Sequence, residues 1–237
     1  MKNNINQSIG IIGGMGPQAS AKLLEVLINM CAKDFGAKSD SDFPEIILNS
    51  VPVPNFTLNK NNIKTVRNIL MKRVKKLENF KPSCFGIACN TAHVILKDLQ
   101  QITNVPFVSI IDEVTKKVAE SDINRVGLLG TPVTIGSGLY QDALGKQRIE
   151  VIIPSKKDRK FVETVIFNVL AGKADRKDEQ QLATVAELLK EKDAQGIILG
   201  CTELPLIFPK DFPLPIFDSI EILAQALLQK FYESKRR

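Results

Sequence analysis

The chain has 237 residues, 44% hydrophobic and 24% charged, with 14 glycines and 12 prolines. That is globular composition, enough for one large domain or two smaller ones, and it excludes collagen-like and low-complexity chains. A net charge of +6 with no Trp and only two Tyr gives little support to a basic, aromatic nucleic-acid surface. The run Lys72, Arg73, Lys75 and Lys76 reads as a solvated helix face, and Lys235, Arg236 and Arg237 form a basic tail. No apolar run approaches the ~20 residues of a membrane helix. The opening stretch MKNNINQSIGIIGGMGP breaks its short apolar run at glycines, unlike a signal peptide. A soluble, cytoplasmic protein with no membrane or nucleic-acid partner is expected.

In chain order, a short apolar run at 9–12 predicts a buried strand and the pattern at 19–32 a helix. A strand at 45–49 and a helix at 63–78 follow, then a strand at 84–88 and a helix at 92–101. Next come a strand at 107–110, a helix at 112–119, and strands at 125–129 and 150–153. Helices at 157–171 and 179–190, strands at 196–199 and 215–217, and a last helix at 219–231 complete the series. Alternating strand and helix predicts an α/β fold with parallel sheet.

The chain also repeats itself. Ile9-Gly10-Ile11-Ile12-Gly13-Gly14 resembles Val126-Gly127-Leu128-Leu129-Gly130-Thr131. Gly86–Thr91 resembles Ile198–Glu203, and Val105-Pro106-Phe107 resembles Leu214-Pro215-Ile216, all in the same order at a shift of about 110 residues. Eight strands in two matched halves favour two pseudo-symmetric, open, four-stranded parallel sheets flanked by helices over one closed barrel. Ligands of open sheets bind at the carboxyl ends of strands, where Gly13, Cys89, Thr131 and Cys201 fall.

Four cysteines, Cys31, Cys84, Cys89 and Cys201, and a single histidine, His93, lack metal-ligand spacing. No metal site and no disulfide scaffold are expected, and a lone histidine weakens a Ser-His-Asp or Cys-His hydrolase. The loop Gly13-Gly14-Met15-Gly16-Pro17 opens a helix. It reads either as a tight turn or as an anion-binding helix N-terminus, and it matches neither G-x-G-x-x-G nor a phosphate-binding lysine loop. Cys89-Asn90-Thr91 and Cys201-Thr202-Glu203 each follow a strand and precede a helix. One such cysteine reads as core; two at matched positions read as a functional pair. Thiols in mirror-related loops can flank one carbon, one removing a proton from one face while the other supplies a proton to the opposite face. Inverting an amino-acid stereocentre this way requires carbanion stabilisation by hydrogen bonds and exclusion of water.

Gly13-Gly14-Met15-Gly16-Pro17, Cys89-Asn90-Thr91-Ala92-His93 and Gly200-Cys201-Thr202-Glu203, with the segment 130–140, resemble the aspartate/glutamate racemase superfamily. The aspartate racemase branch is the nearest match, and the likeness spans residues 9 to about 225. The resemblance implies two α/β lobes with the active site between them, a first lobe of residues 1–104 completed by 212–237, and a second of 105–211. It further implies a cofactor-independent and metal-free amino-acid racemase, commonly a homodimer. By the same resemblance, Cys89 and Cys201 would be the two bases, Asn90, Thr91 and Thr202 would hold the α-carboxylate and amine, Met15 and Gly16 would line the pocket, and Thr131 and Thr134 would meet a carboxylate from the second lobe.

Two departures bear on the substrate. Aspartate racemases carry a Pro-Gln-Ile-Pro-Asp-Arg-like stretch after the second strand; here Pro52-Val53-Pro54-Asn55-Phe56 stands there, with Phe56 in place of the arginine. Where the family has a lysine before Ala-Gly, Leu170 precedes Ala171-Gly172. Lys60 and Lys173 are nearby in sequence and could substitute. The acidic-substrate specificity is therefore open, and a substrate less acidic than aspartate is admitted. A related small-acid isomerase and a non-catalytic ligand-binding homologue are the other readings. Cys31 and Cys84 read as core. His93 reads as a structural hydrogen bond or a neighbour of Cys89, Glu203 as a modulator of Cys201 or a helix-end charge, and Asp112 and Glu113 as helix-capping groups or modulators of Cys89.

Overall fold

A computed structural model describes residues 7–235, the side chain of Lys235 excepted. Residues 1–6 and the tail residues Arg236 and Arg237 lie outside it. Two four-stranded parallel sheets make up the fold. The first contains β1 (Ser8–Gly13), β2 (Glu45–Ser50), β3 (Pro82–Ile87) and β4 (Phe107–Val108) in the order β2-β1-β3-β4. The second contains β5 (Arg125–Gly130), β6 (Glu150–Ile152), β7 (Ile197–Gly200) and β8 (Ile216–Asp218) in the order β6-β5-β7-β8. The repeat in sequence is thus a repeat in topology: β1 pairs with β5 in role, β3 with β7. These four are the central strands and read as continuous apolar runs because both of their faces are covered.

The division between the sheets corrects two expectations. β4 pairs with β3 and stays in the first sheet, and the strand at 216–218 pairs with β7 in the second sheet instead of returning to the first. Only the last helix, α9 (Ser219–Lys235), comes back, packing on β3, α1 (Pro17–Asp34) and α4 (Ile110–Ala119). Leu223 and Leu227 of α9, Leu23 and Leu27 of α1 and Val114 of α4 share one core with Ile9 and Ile11 of the first sheet and Val126, Leu128 and Ile198 of the second. The outer face of the first sheet is covered by α2 (Ile63–Leu77) and α3 (Leu96–Gln100), that of the second by α7 (Lys156–Leu170) and α8 (Arg176–Lys190). The helices between the sheets bury apolar side chains towards both, so the halves close on each other at the strands' carboxyl ends.

Local signals set the helix starts. Pro17 occupies the first position of α1, where its missing N–H costs nothing. Ser109 caps α4 by accepting from the Asp112 N–H, Ser155 caps α7 by accepting from Asp158, and Asp175 with Asp178 forms a capping box that starts α8 at Arg176, three residues before the expected 179. Two short helices, α5 (Pro132–Gly136) and α6 (Leu139–Gly145), were not legible as periodic patterns. They are too short to display one, and Gly138, at φ +75°, separates them. The expected helix at 92–101 is a 3₁₀ segment, Thr91–Ile95, followed by α3.

Candidate active site

The loops after β1, β2, β3, β5 and β7 converge on one cavity of about 170 Å³. At ~30 Å³ per water this is the space of about six waters, the scale of one small metabolite. Gly14 to Pro17, Val53 to Thr57, Cys89 to Thr91, Thr131 and Cys201 to Glu203 line it, with Ile166 and Leu170 of α7. Of the residues singled out in the sequence, Met15, Gly16, Cys89, Asn90, Thr91, Thr131, Cys201 and Thr202 meet here. Thr134 stands one layer behind.

The glycine loop is a tight turn whose donors serve the protein itself. Gly14 takes φ +88° and its N–H donates to Ser20 Oγ at 2.8 Å, while Ser20 Oγ donates to the Gly16 carbonyl at 2.9 Å. The Gly16 N–H donates to Glu203 Oε1 at 2.7 Å. Both expectations for this loop therefore meet: the turn is tight, and the anion at its backbone is the carboxylate of Glu203 from the opposite half.

Cys89 is buried. The N–H groups of Thr91 and Ala92 and the Thr91 hydroxyl lie near its sulfur and favour the thiolate, yet burial first, and then the Glu203 carboxylate, push the thiol up to about 12. Three threonine hydroxyls stand behind it. Thr131 Oγ1 donates to Thr134 Oγ1 at 3.0 Å, and Thr91 Oγ1 lies 2.9 Å from Thr134 Oγ1 and 3.0 Å from Thr131 Oγ1. Thr134, fully buried, thus orients Thr91 and Thr131 from behind the cavity wall.

Asn90 is held from both sides. Its Oδ1 accepts from the Tyr140 hydroxyl at 2.5 Å, and its Nδ2 donates to Ser219 Oγ at 3.0 Å, which in turn donates to the Leu199 carbonyl at 2.8 Å. Tyr140 on α6 is the last residue of the family-like segment 130–140, with no role read for it in sequence, and Ser219 at the start of α9 carries no sequence signal; both are fully buried. One amide hydrogen of Asn90 remains for a ligand.

His93 is structural. Its Nε2 accepts from the Ile110 N–H at 3.0 Å, which leaves Nδ1 as the donor to the Cys89 carbonyl at 2.9 Å. Burial lowers its pKa from 6.5 to about 4. The unfolded chain takes up a proton that the folded chain refuses. This contribution to stability is therefore full above about pH 6.5 and declines as the pH falls towards 4, by about 3 kcal/mol. Urea unfolding at pH 7 and pH 4.5 is expected to show a larger loss in wild type than in His93→Gln; equal losses contradict the assignment.

Cys201, also buried, donates its S–H to Glu203 Oε2 at 2.9 Å. Burial, followed by the Glu203 carboxylate, raises this thiol well above its ordinary value. Glu203 is 2% exposed and itself raised by burial, against which the Cys201 thiol, the Gly16 N–H and the Thr202 hydroxyl act as donors. Sequence reading left Glu203 off the site; its position two residues after Cys201 was the available signal. Asp112 and Glu113 are on α4, away from the cavity lining, and Cys31 and Cys84 are core residues.

The rest of the wall is mainly apolar, with Val53, Pro54, Phe56, Ile166 and Leu170, and Asn55 and Thr57 are its polar members. Both departures noted in sequence are thus on the cavity, and neither Lys60 nor Lys173, both exposed, is among the lining residues. Among the described residues, no group of three or more His, Cys, Asp or Glu is arranged to hold a metal, and no helix is long and apolar enough to cross a membrane.

Comparison with known proteins agrees with this architecture. The broad specificity amino-acid racemase RacX of Bacillus subtilis is 29% identical over 94% of this chain and 97% of its own. The aspartate racemase of Picrophilus torridus superposes with a TM-score of 0.81 at 29% identity, covering 94% of this chain and 93% of that one. An aspartate racemase homologue from Pyrococcus horikoshii does so with 0.77 at 29%, covering 94% and 98%. The family model for Asp/Glu/hydantoin racemases matches residues 12–227, and with two matched sheets and paired cysteine loops on one cavity, the chain belongs to that family.

Proposed function

We propose that the protein is a cofactor-independent amino-acid racemase in which Cys89 and Cys201 exchange protons with opposite faces of one α-carbon. The observation that carries this reading is the pair of buried cysteines, one from each repeated half, on a cavity the size of a single small metabolite. Racemase relatives that cover nearly the whole chain support an amino acid as substrate. Cytoplasmic location and a homodimer belong to the same proposal and rest on the family resemblance.

The two thiols are not equivalent. Cys201 donates to Glu203, while the donor groups of Thr91 and Ala92 near Cys89 favour its thiolate. Cys89 is therefore the sulfur equipped to carry charge. The Glu203 carboxylate opposes ionisation of both thiols. A bound α-ammonium group next to Glu203 offsets that field and lets Cys89 ionise. For one enantiomer, the Cys89 thiolate takes the α-proton and becomes a thiol. Cys201 gives its proton to the other face of the carbanion and becomes a thiolate. The opposite enantiomer runs the same steps in reverse. The free amide hydrogen of Asn90 is placed to meet the α-carboxylate, on which negative charge grows as the proton leaves, and the Thr91 and Thr131 hydroxyls meet it by turning their hydrogens from the partners they have in the threonine cluster.

Proton NMR of purified, reduced protein with single L-amino acids in D2O is expected to show loss of the α-proton signal with formation of the D-enantiomer. No exchange on any amino acid contradicts the reading. In Glu203→Gln the ammonium partner is lost, so KM is expected to rise at least tenfold. The rising limb of the pH–rate profile moves to lower pH, because the charge that raises both thiols is gone. An unmoved profile contradicts this role for Glu203.

A further inference from the structure

We infer that the amino acid turned over carries an uncharged, apolar side chain of aliphatic or thioether type, seated against Phe56, Ile166 and Leu170, and that aspartate and glutamate are poor substrates. The inference rests on the racemase reading and adds the substrate class to it.

The charge balance of the cavity carries the argument. Among its lining residues Glu203 is the single ionisable carboxylate, and no lysine, arginine or histidine is present. An amino acid's own two charges have partners: the ammonium group has Glu203, and the α-carboxylate has the uncommitted amide hydrogen of Asn90, joined by the Thr91 and Thr131 hydroxyls once they turn from the threonine cluster. A side-chain carboxylate has no cation to meet; the remaining polar lining residues, Asn55 and Thr57, are neutral and bonded to each other, the Thr57 hydroxyl donating to Asn55 Oδ1 at 3.1 Å. It would leave water for an apolar wall and share the cavity with Glu203, and both effects disfavour it. The cations of α7 do not reach down to it. Lys156, Lys157, Arg159 and Lys160 are gathered at the start of that helix, about 9 Å or more along the axis from Ile166 at 1.5 Å per residue.

The apolar wall is also fixed in place. Phe56 is 2% exposed and packs in the core beneath the first sheet with Val51 and Val66. Gln18 Nε2 donates to the Leu170 carbonyl at 2.9 Å, and the Leu170 side chain lies so close over Gly16 that any β-carbon there would overlap it. Leu170 therefore spans from the second half onto the glycine loop of the first, closing the cavity with a methyl group. The cavity of about 170 Å³ is on the scale of an amino acid whose side chain has the size of leucine or methionine.

The test is racemisation by the purified full-length protein of L-leucine, L-methionine, L-aspartate and L-glutamate, followed as initial rates of D-product. The expected kcat/KM for leucine or methionine exceeds that for aspartate at least 100-fold. Aspartate or glutamate at an equal or higher value overturns the substrate assignment and leaves the racemase reading standing; no turnover of any amino acid overturns both. Leu170→Lys, at a half-buried position, is expected to raise the aspartate-to-leucine ratio of kcat/KM at least tenfold, whereas Leu170→Met keeps the wild-type ratio. An unchanged ratio in Leu170→Lys, with circular dichroism and melting as in wild type, overturns the assignment of Leu170 to the side-chain wall.

Discussion

Substitution of either Cys89 or Cys201 by serine is expected to lower kcat for racemisation by about 10³-fold or more, with the fold retained. A positioned acid or base contributes roughly 10²- to 10⁴-fold to a proton transfer, and a serine hydroxyl is far less acidic than even these raised thiols. The steric change is small and both sites already carry hydrogen-bond partners, Thr91 and Ala92 at Cys89 and Glu203 at Cys201. Loss of activity is therefore expected without loss of the melting transition. Because both groups act on one carbon in one turnover, the double variant is expected to be no worse than about the poorer single variant. A single variant that keeps a tenth of wild-type kcat contradicts the requirement for two thiols.

Gly14→Ala is expected to destabilise the protein by about 3 kcal/mol or more, among the largest effects of any single methyl added to this chain. Gly14 has φ +88°, where a side chain alone costs ~1–2 kcal/mol. The new β-carbon would also run into the Val51 amide nitrogen and lie 2.7 Å from the Val51 carbonyl oxygen and 2.9 Å from the Ser50 carbonyl carbon. These are backbone atoms and cannot rotate away. The Val51 N–H donates to the Gly13 carbonyl at 3.0 Å, at the end of the β1–β2 ladder. Relief of the overlap must therefore open that end of the sheet or displace the cavity loop. Urea unfolding of wild type and variant reads the difference directly, and a change under about 0.5 kcal/mol contradicts the account of this turn.

Most of the fold was legible because its physics is local or periodic. Apolar runs bounded by turn residues mark the eight strands, and the shift of about 110 residues between Ile9–Gly14 and Val126–Thr131 announces two matched halves. Strand partnership was not local. That Phe107–Val108 stays with β3 and Ile216–Asp218 joins β7 depends on which edges are free after folding, and strands of two and three residues carry no register signal. At the site, the cysteines stood out because they recur at matched positions. Tyr140 stood out only within the family-like segment 130–140 and Ser219 not at all, since their role is to hold Asn90 from elements 50 and 129 residues away. Glu203 was visible as an acid near Cys201, but its engagement with Gly16, 187 residues earlier, exists only in the folded chain. Phe56 and Leu170 were noticed as departures, and the fold places both on one cavity.

The account rests most directly on proton transfer at two faces by two different sulfurs. Isotope incorporation during the first turnovers in D2O tests it, starting from one enantiomer of an amino acid the protein racemises. Each sulfur serves one face, so the accumulating product is expected to carry deuterium at the α-carbon while the remaining starting enantiomer keeps its proton. Deuterium entering the starting enantiomer as fast as the product would mean one group working both faces, and would contradict the pairing of Cys89 with Cys201.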